Sequence, residues 1–176
     1  MGIDFAKYRP LTNNIEIYHP AIKSSVNHEL LHLASYNSET KQIGLTHYNP
    51  SINENIIGEG LNEAYTELLN HRYFNSKSIN YLYLRQIAEL IELFYENKKD
   101  LEADYFHTNF YNLVAHLTKS MSESEALSLI IDIDYLYYYQ ADTKYFKNLK
   151  NTMYELYSQK HSKEEKEKFR QKAKIK

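Results

Sequence analysis

The pattern of apolar and polar positions divides the chain into two styles. In the first third the period is short and interrupted. Ile15 to His19 (IEIYH) alternates apolar and polar residues, as a half-buried strand does, and Pro20 follows it. Gln42 to Tyr48 (QIGLTHY) predicts a second short strand, and the turn-rich segment 49–60 follows. Between the two strands, Ile22, Val26, Leu30 and Leu33 recur near helical spacing, so AIKSSVNHELLHLAS predicts a helix. From Leu61 onward the period becomes helical throughout. One helix opens near Leu61 and runs through NEAYTELLNHRYF. Ser78 is placed to cap another, INYLYLRQIAELIELFYEN, with Leu82, Ile87, Leu90, Ile91 and Phe94 as its apolar face. LEADYFHTNFYNLVAHL forms the next. Ser122 and Glu125 have capping-box spacing ahead of ALSLIIDIDYLYYY, and a last helical piece begins near Thr143.

The strong helix breakers sharpen this division. All 4 glycines and all 3 prolines precede residue 61. The expected fold is therefore mainly α (α+β): a helical domain with a small, rudimentary β-sheet near the N-terminus and a pair of helices carrying the candidate chemistry. With 176 residues the chain predicts one domain, placed over 1–160, with 1–60 its strand- and loop-bearing part and 61–160 its helical part. The charged stretch 161–176 reads as a solvated helix end or a frayed terminus, nearly free of core residues.

Composition removes several function classes. There are no cysteines, so disulfides, thiol catalysis and thiolate-bound zinc are excluded, and imidazole and carboxylate are the strong metal ligands available. A net charge of -2 gives no reason to expect nucleic acid as a partner, and acidic residues interrupt the lysines of the tail. Nowhere do about 18 apolar residues run together, so no membrane span is expected. No signal peptide is visible, which fits a cytoplasmic protein. The 18 tyrosines without tryptophan fit an AT-rich bacterial or phage genome, with tyrosine as an amphipathic core filler.

The candidate chemistry begins at VNHELLHLAS, Val26 to Ser35, where His28, Glu29 and His32 are spaced as H-E-x-x-H. Residues four apart share a helix face about 6 Å apart along the axis, so both imidazoles can aim at one ion. Glu29 projects beside that ion, placed to take a proton from bound water. The motif arises by chance in roughly 3% of shuffled sequences of this composition, so it needs a third ligand to carry weight. GLNEAYTELL, Gly60 to Leu69, offers one: Glu63 supplies a carboxylate, and Glu67, one turn on, can accept the other N–H of a ligand histidine.

H-E-x-x-H on one helix followed by N-E-x-x-[ST]-[DE] on the next resembles the gluzincin, or thermolysin-like, clan of zinc metallopeptidases, and the chain's size is similar to that of minigluzincins. The resemblance covers Val26 to about Leu69. It implies a Zn2+ cofactor held by His28, His32 and Glu63, with Glu29 as general base and Glu67 and Asn62 in support. It also implies hydrolysis of a peptide or protein substrate, laid along an edge strand such as Ile15 to His19 or Gln42 to Tyr48; roofing the core is the other use for those strands. The sequence departs from the clan in a longer gap between the motifs and in the little chain upstream of the first. No motif marks the transition-state donors, for which Tyr105 and His107 in ADYFHTNF are the first candidates. His47, His71 and His116 read as surface or structural histidines. Two alternatives stay open: a regulatory protease specific for one partner protein, and a non-catalytic helical binding or structural protein with a vestigial or structural metal site. Oligomeric state is left open.

Overall fold

The computed structural model describes residues 6–9, 12–18, 23–48, 56–77, 82–139 and 142–175. A turn at Asn13, with φ of 53°, folds strand β1 (Ala6–Arg9) back onto β2 (Asn14–Ile17). The antiparallel register sets Tyr8 opposite Ile15. β1 alternates, with Ala6 and Tyr8 buried and Lys7 and Arg9 exposed, and the hairpin packs on helix α1 (Lys23–Ala34). The strand expected at Ile15 to His19 is thus β2, with His19 outside the described residues; β1 was not expected.

The strand expected over Gln42 to Tyr48 is broken in two. β3 (Tyr36–Asn37) pairs with β4 (Gln42–Ile43), and β5 (His47–Tyr48) pairs with β6 (Ile56–Ile57). Gly44 divides them, in a left-handed conformation with φ of 50°. A Cβ there would collide with Asn62 Oδ1 and come within 2.7 Å of the Tyr105 ring. The described strands therefore form three two-stranded ladders, not one small sheet.

Helices dominate the remainder: α2 (Glu59–Phe74), α3 (Leu82–Ile91) with a 3-10 turn at Glu92–Phe94, α4 (Lys98–Phe106), α5 (Phe110–Leu117), α6 (Glu123–Tyr138), α7 (Thr143–Ser158) and α8 (Lys163–Ala173). The fold is mainly α, as the periodicity predicts. The Ser78 cap lies outside the described residues. Ser122 and Glu125 do form a capping box at the start of α6. The helix expected from Leu101 to Leu117 is two helices. Thr108 adopts φ of 54°, and the Asn109 side chain accepts the Asn112 N–H at 3.2 Å to start α5.

The core gathers around α2, which touches α1, α3 and α6. Leu61, Ala64, Tyr65, Leu68 and Leu69 are buried there against a cluster that includes Ile87 and Ile91 of α3 and Ile130 and Ile133 of α6. α6 also sets where α2 begins. The Asp134 carboxylate accepts the N–H groups of Gly58 at 2.8 Å and Gly60 at 2.7 Å, satisfying donors that a helix start leaves unpaired. Gly60 is needed for this approach, because a Cβ there would lie 2.5 Å from the Ile133 carbonyl oxygen. Burial pushes the Asp134 carboxyl up to about 6 even though both N–H groups pull it down.

The C-terminal stretch is a helix end whose charged faces are solvated, as expected, but it is not free of core residues. It forms α8, opened by a capping box of Ser162 and Glu165. Its charged faces are exposed, but Phe169 is 0% exposed, packed against Phe94, Tyr154 and Tyr157. Lys150 Nζ donates to the Ala173 carbonyl at 2.6 Å. One large apolar side chain among many charges docks the helix, and its contribution is easily missed in a stretch read by average polarity. Among the described residues no helix is long and apolar enough to cross a membrane. Phe169→Ala is expected to cost about 3–5 kcal/mol of stability in urea denaturation, the usual cost of emptying a core aromatic site; a solvated tail would leave the midpoint where it is.

Candidate metal centre

The buried stripe of α1 consists of His28, Leu31 and His32. That is not the face marked by Val26, Leu30 and Leu33, of which Leu30 is exposed. The helix therefore turns its two histidines, and not its leucine-rich side, toward α2. On α2 the facing positions are Glu63 and Glu67, again one turn apart. Three side chains converge. His28 Nε2 lies 3.1 Å from His32 Nε2 and 3.1 Å from Glu63 Oε2, and His32 Nε2 lies 3.1 Å from Glu63 Oε1. Ligands about 2.0–2.1 Å from a tetrahedral zinc ion stand roughly 3.3 Å apart. The group is therefore one that can hold a metal ion, and its spacing and N/O donor set fit zinc.

The far sides of both imidazoles are held as well. His28 Nδ1 lies 3.2 Å from Glu67 Oε2, which also accepts from Asn70 Nδ2 at 3.3 Å. A proton on Nδ1 of His28 thus points at a carboxylate, which leaves Nε2 to face the cluster. His32 Nδ1 lies 3.3 Å from Asn62 Nδ2, and the Asn62 Oδ1 accepts the Leu45 N–H at 3.2 Å. Glu67 and Asn62 thus stand beside the histidines that the sequence motifs imply they support.

Burial by itself would push the His28 imidazole down, but the hydrogen bonds to Glu63 and Glu67 outweigh it and hold His28 up at about 10. Glu63 is the mirror case. Burial would raise it, yet His32 and His28 hold it well below the usual carboxylate range. The two shifts are opposite in sign, as an imidazole and a carboxylate that face each other away from water require. Glu29 is half-buried, and its carboxyl is raised chiefly by desolvation. Its Oε2 accepts the Tyr8 N–H of β1 at 2.6 Å, so the N-terminal hairpin lies against it.

The remaining candidates lie apart from the three ligands. Tyr105 is fully buried, with its hydroxyl 2.8 Å from Thr66 Oγ1. Burial pushes its phenol well above the ordinary value. It stands behind His32, on the Nδ1 side. His107 is exposed at the end of α4, where its backbone caps the helix. His47 stacks on Phe110 with ring centroids 5.2 Å apart, His116 on Tyr95 at 4.1 Å, and His71 Nδ1 donates to the Ser76 carbonyl at 2.8 Å. Sequence reasoning missed Tyr8 and Thr66. Tyr8 contributes a backbone N–H, which no side-chain motif encodes. Thr66 sits inside the NEAYTE pattern, where its spacing from Asn62 places its hydroxyl on the Asn62 carbonyl.

The purified chain is expected to bind about one zinc ion, and His28→Ala to lose it in elemental analysis. Zinc must displace the proton that two carboxylates hold on His28, so affinity should rise with pH from neutrality toward about 10. The sign follows from linkage. The raised pKa of His28 stabilises the metal-free fold fully below the ordinary imidazole value, and that contribution fades as pH climbs through about 10. Calorimetric titrations in buffers of different ionisation enthalpy would register the released proton.

Comparison of the chain with protein-family models, with curated proteins and with solved structures gives no match, so what can be said of its chemistry rests on its own residues.

Proposed function

We propose that the chain is a zinc-dependent metallopeptidase of the gluzincin type, hydrolysing peptide bonds of a peptide or protein substrate. One observation carries this reading: two imidazole nitrogens of α1 stand 3.1 Å apart and each 3.1 Å from a carboxylate oxygen of Glu63 on α2, with Glu29 adjacent in sequence to His28. His28, His32 and Glu63 would hold the zinc ion, which when bound would supply a water of lowered pKa and polarise the carbonyl to be attacked. Glu29 is not needed as a ligand. Its carboxylate takes the proton of the attacking water and returns it to the departing amine. The desolvation that raises its pKa brings it closer to the range where a carboxylate both accepts and releases a proton near neutrality. Glu67, accepting the Nδ1 proton of His28, keeps that imidazole oriented, and Asn62 lies beside His32.

The hydrogen bond from Tyr8 N–H to Glu29 favours a second reading, a metal-binding helical protein without hydrolysis, because it occupies one oxygen of the carboxylate that must act. A third possibility within the first reading is cleavage of one specific partner protein. Glu29→Gln separates the readings. It should keep the metal and lower cleavage of a mixed peptide library by at least about a hundredfold, the usual worth of a general base. If wild type and Glu29→Gln, both loaded with zinc, are equally inert toward the library and toward host proteins, the non-enzymatic reading replaces the first.

A further inference from the structure

A histidine that gives Nε2 to a metal carries its proton on Nδ1 and must donate it. For His28 the acceptor is the Glu67 carboxylate. For His32 the neighbouring group is Asn62, but Asn62 is turned the wrong way. Its Oδ1 is committed to the Leu45 N–H, so the atom facing His32 Nδ1 is the amide nitrogen, which only donates. The loop that imposes this is built around Gly44, where a Cβ would collide with Asn62 Oδ1. The other group near His32 Nδ1 is Thr66 Oγ1, at 3.4 Å.

The Thr66 hydroxyl donates its own proton to the Asn62 carbonyl at 2.8 Å, one helical turn back. Its oxygen is then free to accept, and Tyr105 OH stands 2.8 Å from it. With the Thr66 proton spent on the carbonyl, Tyr105 is the donor of that contact. Both side chains are fully buried, so water does not substitute for either.

We propose that Thr66 and Tyr105 are positioning residues that hold His32 with its proton on Nδ1 and its Nε2 turned to the metal. Thr66 Oγ1 accepts the His32 Nδ1 proton. Tyr105, donating to the same oxygen, fixes where that oxygen sits. The relay gives the two ligand histidines unlike supports: a carboxylate behind His28, and a neutral hydroxyl pair behind His32. Tyr105 thereby acts on the ligand from behind it, and no contact with substrate is required of it.

The inference rests on the metal-centre reading, and the test separates the two. Zinc affinity of the full chain is measured by competition with a chromophoric chelator, alongside the visible spectrum of the Co2+-loaded protein. Thr66→Val should weaken zinc by about 10–100-fold and shift the cobalt bands, and Thr66→Ser should restore both. Tyr105→Phe, which removes one oxygen atom, should weaken zinc in the same direction by about 3–10-fold. If Thr66→Val does not fold, Tyr105→Phe and Thr66→Ser decide the matter. Wild-type affinity and an unchanged cobalt spectrum in Tyr105→Phe and Thr66→Val, with only the unfolding temperature lowered, would reduce the pair to core packing and overturn the relay. A wild type that takes up no zinc or cobalt at all would overturn the metal centre, and the relay with it.

Discussion

Four ionisable side chains meet between α1 and α2 where little water reaches: His28, His32, Glu63 and Glu67. Each would cost several kcal/mol to bury alone. Together they are tolerable, because each carboxylate faces an imidazole and each imidazole has a partner on both sides. This mutual dependence is the constraint from which the rest follows. It sets α1 against α2 at one rotation, with the histidine stripe inward and Leu30 outward. A divalent cation between the same ligands would satisfy the cluster with fewer protons.

The surrounding fold serves to hold α2 in place. Glu63 and Glu67 occupy their positions only if the helix starts where it does, and Asp134 of α6 determines that start through the N–H groups of Gly58 and Gly60. The absence of a Cβ at Gly60 lets α6 approach closely enough. On the other side, the turn at Gly44 brings the Leu45 N–H to Asn62 and the loop backbone to Tyr105. Two glycines thus permit the two close approaches that frame the centre, one at each side of the same helix.

The N-terminal hairpin bears on Glu29 differently. Tyr8 is held by its ring, which packs edge-on to Tyr36 with centroids 6.1 Å apart, and by its hydroxyl on Asn13. Its N–H leaves the ladder and goes to the Glu29 carboxylate. A carboxylate that is half desolvated and hydrogen-bonded at one oxygen has a defined direction. It also has a competitor for any amide that approaches it.

Much of the centre was legible in the chain itself, because a helix turns spacing into geometry. Residues four apart must share a face, so His28 with His32 and Glu63 with Glu67 form two pairs whatever the tertiary structure. The mainly helical fold, the capping box at Ser122 and the helical periods after residue 61 were local properties too, set by propensity and by the confinement of glycine and proline to the first 60 residues. What only the tertiary structure decided is how separate elements meet. That the two pairs face each other depends on a helix rotation which the leucines of α1, read alone, would have set the other way. The break of the expected strand at Gly44 and the docking of α8 by Phe169 come from contacts distant in sequence. So do the Tyr8 amide on Glu29 and the Tyr105 hydroxyl behind His32. Periodicity reports which residues share a face; it carries no information about which face another segment will cover.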